Sequence, residues 1–108
     1  MGNPEHPDMG RLLAELKHPL RRDLLRLMID AEPTSPRDLA KKVNRPLSNV
    51  AYHVRVLKTC GALELVRKTP VRGSIQHFYR AAVKPKQARE ALRLAEDTNG
   101  GAAGEEIS

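Results

Sequence analysis

The apolar positions fall into short helical stripes, and proline or glycine stands at nearly every break between them. Leu12, Leu13 and Leu16, with Met9 a turn earlier, put one apolar face on a helix over residues 9–17. A helix this short is not stable alone, so its face must dock on the domain core or on a partner subunit. Asp8 or Asn3 is placed to cap it. His18 and Pro19 then break the pattern, and proline suits the first position of a new helix because its missing N–H is not needed there. Leu20, Leu24, Leu27, Met28 and Ala31 carry that second helix over residues 19–31, and Arg21, Arg22, Asp23 and Arg26 take its other side. Pro33 stops it.

Ser35, Pro36 and Asp38 form a strong helix start: serine as N-cap, proline at N1, and an acid at N3 able to reach back. Leu39, Ala40 and Val43 make a compact inner face, and Asn44 tolerates the left-handed conformation of a tight turn. A fourth helix over 48–60 follows, with Ser48 read as its N-cap and Gly61 as its C′ residue. Val50, Val54 and Leu57 cluster on one side of its wheel. Ser48, Tyr52, Arg55 and Thr59 share the opposite side, flanked by Asn49, Ala51 and Val56. That side is rich in donors and acceptors and carries one charge, which suits the reading of base edges.

Beyond residue 61 the period changes to two. Residues 62–66 and 75–81 read as strands of a hairpin, and residues 67–74 read as a basic turn containing Pro70 and Gly73. Two strands alone are marginal, so the hairpin must lean on the helices. A last helix over 84–96 carries Ala88, Ala91, Leu92 and Ala95 as a narrow stripe suited to close helix packing. The predicted layout is a flexible arm over 1–8, a mostly α domain with a small β-hairpin over 9–96, and a disordered tail over 97–108.

Charge sharpens this outline. Residues 37–89 carry 13 Lys/Arg against 2 Asp/Glu, whereas residues 1–36 carry 5 against 6 and residues 90–108 carry 1 against 5. Solubility alone does not require such segregation, and a polyanion is its natural partner. Aromatic residues make up 3% of the chain, so the core must be aliphatic. The same shortage disfavours RNA binding by base stacking. Cys60 is the only cysteine, so no intrachain disulfide forms and a cytoplasmic location is expected. No apolar run is long enough to span a membrane, and the N-terminus has no hydrophobic signal region.

Helix, helix-turn-helix and basic hairpin follow one another in the order of a winged helix-turn-helix. The run from Leu16 through His18 and Pro19 to Arg21 resembles the "L-x-H-P-x-R" opening of the ArsR-like transcriptional regulators. Asp38-Leu39-Ala40, then Tyr52-His53-Val54-Arg55-Val56-Leu57 with Gly61-Ala62-Leu63, and finally Arg72-Gly73 through Phe78-Tyr79-Arg80 resemble the family's further motifs, over residues 10–82 in all. The resemblance implies a homodimer, usually a repressor, that binds an inverted repeat in double-stranded DNA. It assigns base reading to Ser48, Asn49, Tyr52 and Arg55. It assigns backbone contacts to Lys41, Lys42, Arg45, Arg67, Lys68 and Arg72. Leu12, Leu13, Leu16, Ala88, Leu92 and Ala95, on the first and last helices, are the candidate dimer interface.

The family's metal-sensing motifs are missing. A cysteine pair is lacking, the last helix has no histidine, and His6, His18, His53 and His77 show no ligand spacing. No metal or other cofactor is therefore expected. His18 and His53 read as structural hydrogen-bonding residues, and Cys60 as a packed small hydrophobe. An enzyme is excluded on inventory, since the chain has neither a glycine-rich phosphate loop nor paired carboxylates beside a histidine. The rival reading is a winged-helix interaction module that docks its basic face on an acidic protein without specific DNA binding.

Overall fold

The computed structural model describes the backbone of residues 8–107 and the side chains of residues 8–97. Residues 1–7 of the expected arm over 1–8, with Asn3 and His6, lie outside the described residues. The elements run α1 (Met9–Glu15), α2 (Pro19–Met28), α3 (Pro36–Val43), α4 (Leu47–Thr59), β1 (Leu63–Val71), β2 (Ser74–Ala81) and α5 (Pro85–Ile107). This is a mostly helical winged helix-turn-helix.

Local signals set most of the boundaries. Asp8 caps α1 by accepting from the Gly10 N–H at 2.9 Å. Ser35 Oγ accepts from the Asp38 N–H at 3.2 Å and starts α3. Asn44 ends α3 with φ 55°, in the left-handed region. Gly61 follows α4 with φ 90°, and the Ala62 N–H donates to the Leu57 carbonyl at 2.9 Å.

Four expectations shift. α2 ends at Met28 rather than Ala31, because Asp30 takes a left-handed turn (φ 65°) ahead of Pro33. The end of the stripe therefore changes: Leu25 is buried with Leu20, Leu24 and Met28, while Leu27 and Ala31 are exposed. Ser48 does not cap α4. The helix begins at Leu47 directly after Pro46, which sits at the cap position without a side-chain hydrogen bond. β1 runs through Val71, so Arg67 and Lys68 belong to a strand and the turn shrinks to Arg72 and Gly73. Finally, α5 runs past Glu96, the expected end of the last helix, through the stretch to Ile107. After Pro85 the stretch contains no proline to break the backbone ladder.

One aliphatic core joins all five helices and the hairpin base. Leu12 and Leu16 of α1, Leu24, Leu25 and Met28 of α2, and Val50, Val54 and Leu57 of α4 are essentially sealed from solvent. Ala88, Ala91, Leu92 and Ala95 of α5 close one side. Small residues there let α5 lie close to α1 and α2. Ion pairs from Arg89 to Asp30 and from Arg26 to Glu96 pin α5 to α2 and the turn after it. These pairs are exposed, so they guide register more than they stabilise.

The support the hairpin needs comes from the linker between α2 and α3. The Thr34 N–H donates to the Tyr79 carbonyl at 2.8 Å, and the Tyr79 N–H donates back to Thr34 at 2.9 Å. This single bridge pairs the outer edge of β2. The Ala82 N–H donates to the Ala62 carbonyl at 2.8 Å and closes the base.

Candidate nucleic-acid interface

The second helix of the turn is anchored from behind. Val50, Val54 and Leu57 hold the inner face of α4 in the core, and His53 completes it at the edge. The Arg21 Nε–H donates to His53 Nδ1 at 3.0 Å. The same guanidinium donates to Glu15 Oε1 at 2.6 Å and to the Glu15 carbonyl at 3.2 Å. The His18 ring lies against His53 with centroids 4.2 Å apart, and its Nδ1 accepts from the Leu20 N–H at 3.2 Å to cap α2. Three helices thus meet at one polar junction directly behind α4. Both histidines are structural hydrogen-bonding residues, as the sequence suggested.

Both imidazoles accept through Nδ1, which requires the neutral ring on that nitrogen. Burial, then the nearby cations Arg21, Arg22 and Arg45, push the His18 pKa below its usual 6.5. Burial first, followed by His18 and Arg21, lowers that of His53. Cys60 sits buried at the far end of α4, where its thiol donates to the Leu57 carbonyl at 3.4 Å, and desolvation raises its pKa.

With the inner face fixed, Ser48, Tyr52, Arg55 and Thr59 are all exposed on the outer one. Tyr52 is 54% exposed, and its ring meets His53 edge-on at 5.1 Å between centroids. Asn49 is exposed on the flank. Because Pro46 occupies the cap position, the Ser48 hydroxyl is not taken up by capping. The α1 side adds residues that the sequence reading missed: Arg11 and Glu15 line a groove of about 230 Å3 with Tyr52, Arg55, Val56 and Thr59. Proximity of α1 to α4 is a tertiary fact, and no local pattern in residues 9–17 announces it.

The candidate backbone contacts flank this helix on two sides. Lys41 and Lys42 are exposed in the last turn of α3, where cations also suit the helix dipole. Arg45 is exposed in the turn that follows. On the wing, Lys68 and Arg72 are exposed, with Arg72 (φ 48°) and Gly73 (φ 84°) forming the two-residue reversal. That backbone matches the type I′ geometry favoured in tight hairpins. Arg67 is less free than expected, since its guanidinium lies over the Phe78 ring at 4.4 Å. Arg80 pairs with Glu64 across the strands at 2.6 Å.

Residues 16–66 match the family model described as a helix-turn-helix domain. The match covers α2, α3, α4 and the first part of β1, which are the elements that present the outer face of α4. A helix-turn-helix points to DNA binding. No curated protein matches the chain.

The candidate dimer residues are mostly part of the core of the single chain. Leu12, Leu16, Ala88, Leu92 and Ala95 are buried within a single chain, and only Leu13 is part-exposed. The stripes on the first and last helices face each other and the core, so their apolar area is already covered. Around Leu13 a second groove, of about 390 Å3, runs between α1 and α5 and includes Gly10, Ala14 and Leu94. Among the described residues, no group of three or more His, Cys, Asp or Glu side chains is placed to hold a metal. Nor is any helix there long and apolar enough to cross a membrane.

Proposed function

We propose that the chain is a sequence-specific DNA-binding transcriptional regulator of the ArsR-like kind, a repressor that binds an inverted repeat as a homodimer. The observation that carries this reading is the two-sided α4, with an aliphatic inner face locked in the core and an outer face of exposed Ser48, Tyr52, Arg55 and Thr59. Donors and acceptors on that face suit base edges in the major groove. In this reading Ser48, Asn49, Tyr52 and Arg55 read bases. Lys41, Lys42 and Arg45 bind phosphate before the recognition helix, and Lys68 and Arg72 bind it on the wing, where Arg67 contributes less because it is stacked on Phe78. The basic excess of residues 37–89 supplies the sequence-independent attraction.

Dimerisation would use what α1 and α5 leave uncovered. Met9 is 37% exposed, and Leu13 borders the groove between the two helices. Two copies joined there would present two recognition helices to half-sites about one DNA turn apart, roughly 34 Å. Repression follows if the occupied repeat overlaps a promoter.

Selection of bound duplexes from a random pool tests the reading. The expected product is a near-palindrome with half-sites one helical turn apart, and transcription from promoters carrying it should rise when the protein is removed. Absence of binding to any duplex at low salt would overturn the assignment and turn attention to an acidic protein partner.

A further inference from the structure

A groove of about 210 Å3 opens between the recognition helix and the wing. Leu47 and Ala51 of α4, Ile75 of β2 and Pro36 and Arg37 of α3 line it, and the polar Ser74, Gln76 and His77 of β2 share its wall. Two of its apolar side chains are unusually open: Leu47 is 44% exposed and Ile75 is 56% exposed. Neither belongs to the core. Leu47 is the first residue of α4, directly after Pro46 at the cap position. At about 100° per residue, Ala51 lies at the edge of the outer face beside Ser48 and Arg55, and Leu47 lies between it and the buried Val54, on the side turned to the wing.

We propose that this groove receives the C5-methyl group of a thymine, and that Leu47 and Ile75 make the corresponding operator position thymine-specific. The inference rests on the DNA-reading assignment above. Charge selects the occupant. Arg37 stands on the groove's own rim, and residues 37–89 carry 13 Lys/Arg against 2 Asp/Glu, so the surface around this apolar notch attracts a polyanion. On duplex DNA the apolar group displayed in the major groove is the thymine methyl, and the other base edges present donors and acceptors. A leucine and an isoleucine would desolvate those polar edges without replacing their hydrogen bonds. Against a methyl group they lose nothing and bury apolar surface. The methyl also lies at the margin of the groove, next to the backbone of its own strand. The wing-facing side of a recognition helix comes to that margin when the wing follows the backbone.

The test uses the full chain and the duplex it selects from a random pool, resynthesised with deoxyuridine replacing thymidine one position at a time. Uracil keeps every hydrogen bond and lacks only the methyl. At one position in each half-site, uracil should weaken binding about 3- to 5-fold, the loss expected for one buried methyl. The Leu47→Ala chain should bind the thymine duplex more weakly and lose most of the difference between thymine and uracil at that position. Ile75→Ala should do the same in part. Both side chains are exposed, so circular dichroism should show both variants folded. Equal binding of thymine and uracil duplexes at every position would overturn the proposal while leaving DNA recognition intact. So would a methyl dependence that survives in the double variant. A chain that binds no duplex overturns the DNA-reading assignment itself, and this inference with it.

Discussion

Arg21 Nε donates to His53 Nδ1 at 3.0 Å, and that bond joins the start of α2 to the buried edge of α4. The rest of the guanidinium is held by Glu15 at the end of α1. One side chain therefore sets the relative placement of three helices.

Removing it should cost more than a surface ion pair. Arg21→Ala leaves the Nδ1 of buried His53 without its donor, and such an orphaned group costs about 1–3 kcal/mol. Urea denaturation should show a loss in that range. Arg21→Lys should restore little of it, because an ammonium cannot reach both Glu15 and His53 with the geometry of a planar fork.

The junction should also make stability depend on acid. His18 and His53 bind a proton less readily in the folded chain than at their ordinary pKa of 6.5. The unfolded chain therefore takes up protons first as pH falls. Stability should be flat above about pH 6.5 and decline below it, down to the lower folded values, as protonation removes the Nδ1 acceptors. For His53 the slope cannot exceed about 1.4 kcal/mol per pH unit. Melting temperatures measured between pH 8 and pH 5 should show this limb. His53→Gln, which cannot titrate, should remove its share of the limb and leave that of His18.

Core and interface leucines should separate cleanly. Leu12→Ala removes a sealed side chain and should cost about 2–5 kcal/mol. Leu13→Asp and Met9→Asp lie on the uncovered edge of α1. Both should shift a dimer to monomer in sedimentation velocity; Met9→Asp should leave the melting of the monomer nearly unchanged, whereas Leu13→Asp should lower it, because Leu13 is half-buried against the core. A dimer unaffected by both would move the interface away from α1.

At the wing tip, Gly73 has φ 84°, and an added Cβ would meet nothing within 4 Å. Gly73→Ala should therefore lose only the conformational term, about 1–2 kcal/mol, and leave the helical far-ultraviolet circular dichroism unchanged. Arg72, at φ 48°, carries a milder version of the same strain, so Arg72→Asn should hold the hairpin while removing one cation.

Base and backbone residues should differ in their salt response. Tyr52→Ala and Arg55→Ala should weaken the selected site more than random duplex. Lys68→Ala and Arg72→Ala should weaken both alike, each lowering the slope of log K against log salt by about 0.9. Equal losses on both DNAs for Tyr52→Ala would remove it from the base-reading set.

Much of this protein is written locally. Pro19, Ser35 with Pro36, Asn44 and Gly61 announce helix ends because caps and left-handed turns depend on one or two residues and their nearest backbone groups. The two faces of α4 follow in the same way from helical period, as does the order of helices and wing. The sequence by itself therefore determined the winged helix-turn-helix and the exposed outer face of its second helix. It could not say which apolar stripes a single chain covers for itself, and Leu12, Leu16, Ala88, Leu92 and Ala95 turned out to be core. Nor could it place Thr34 against Tyr79, Arg21 against His53, or Leu47 across from Ile75. Those pairings join residues far apart in the chain, and only packing of the whole domain brings them together. The tertiary structure decided them because burial and nonlocal hydrogen bonds depend on every element at once, whereas a cap or a turn needs only its neighbours.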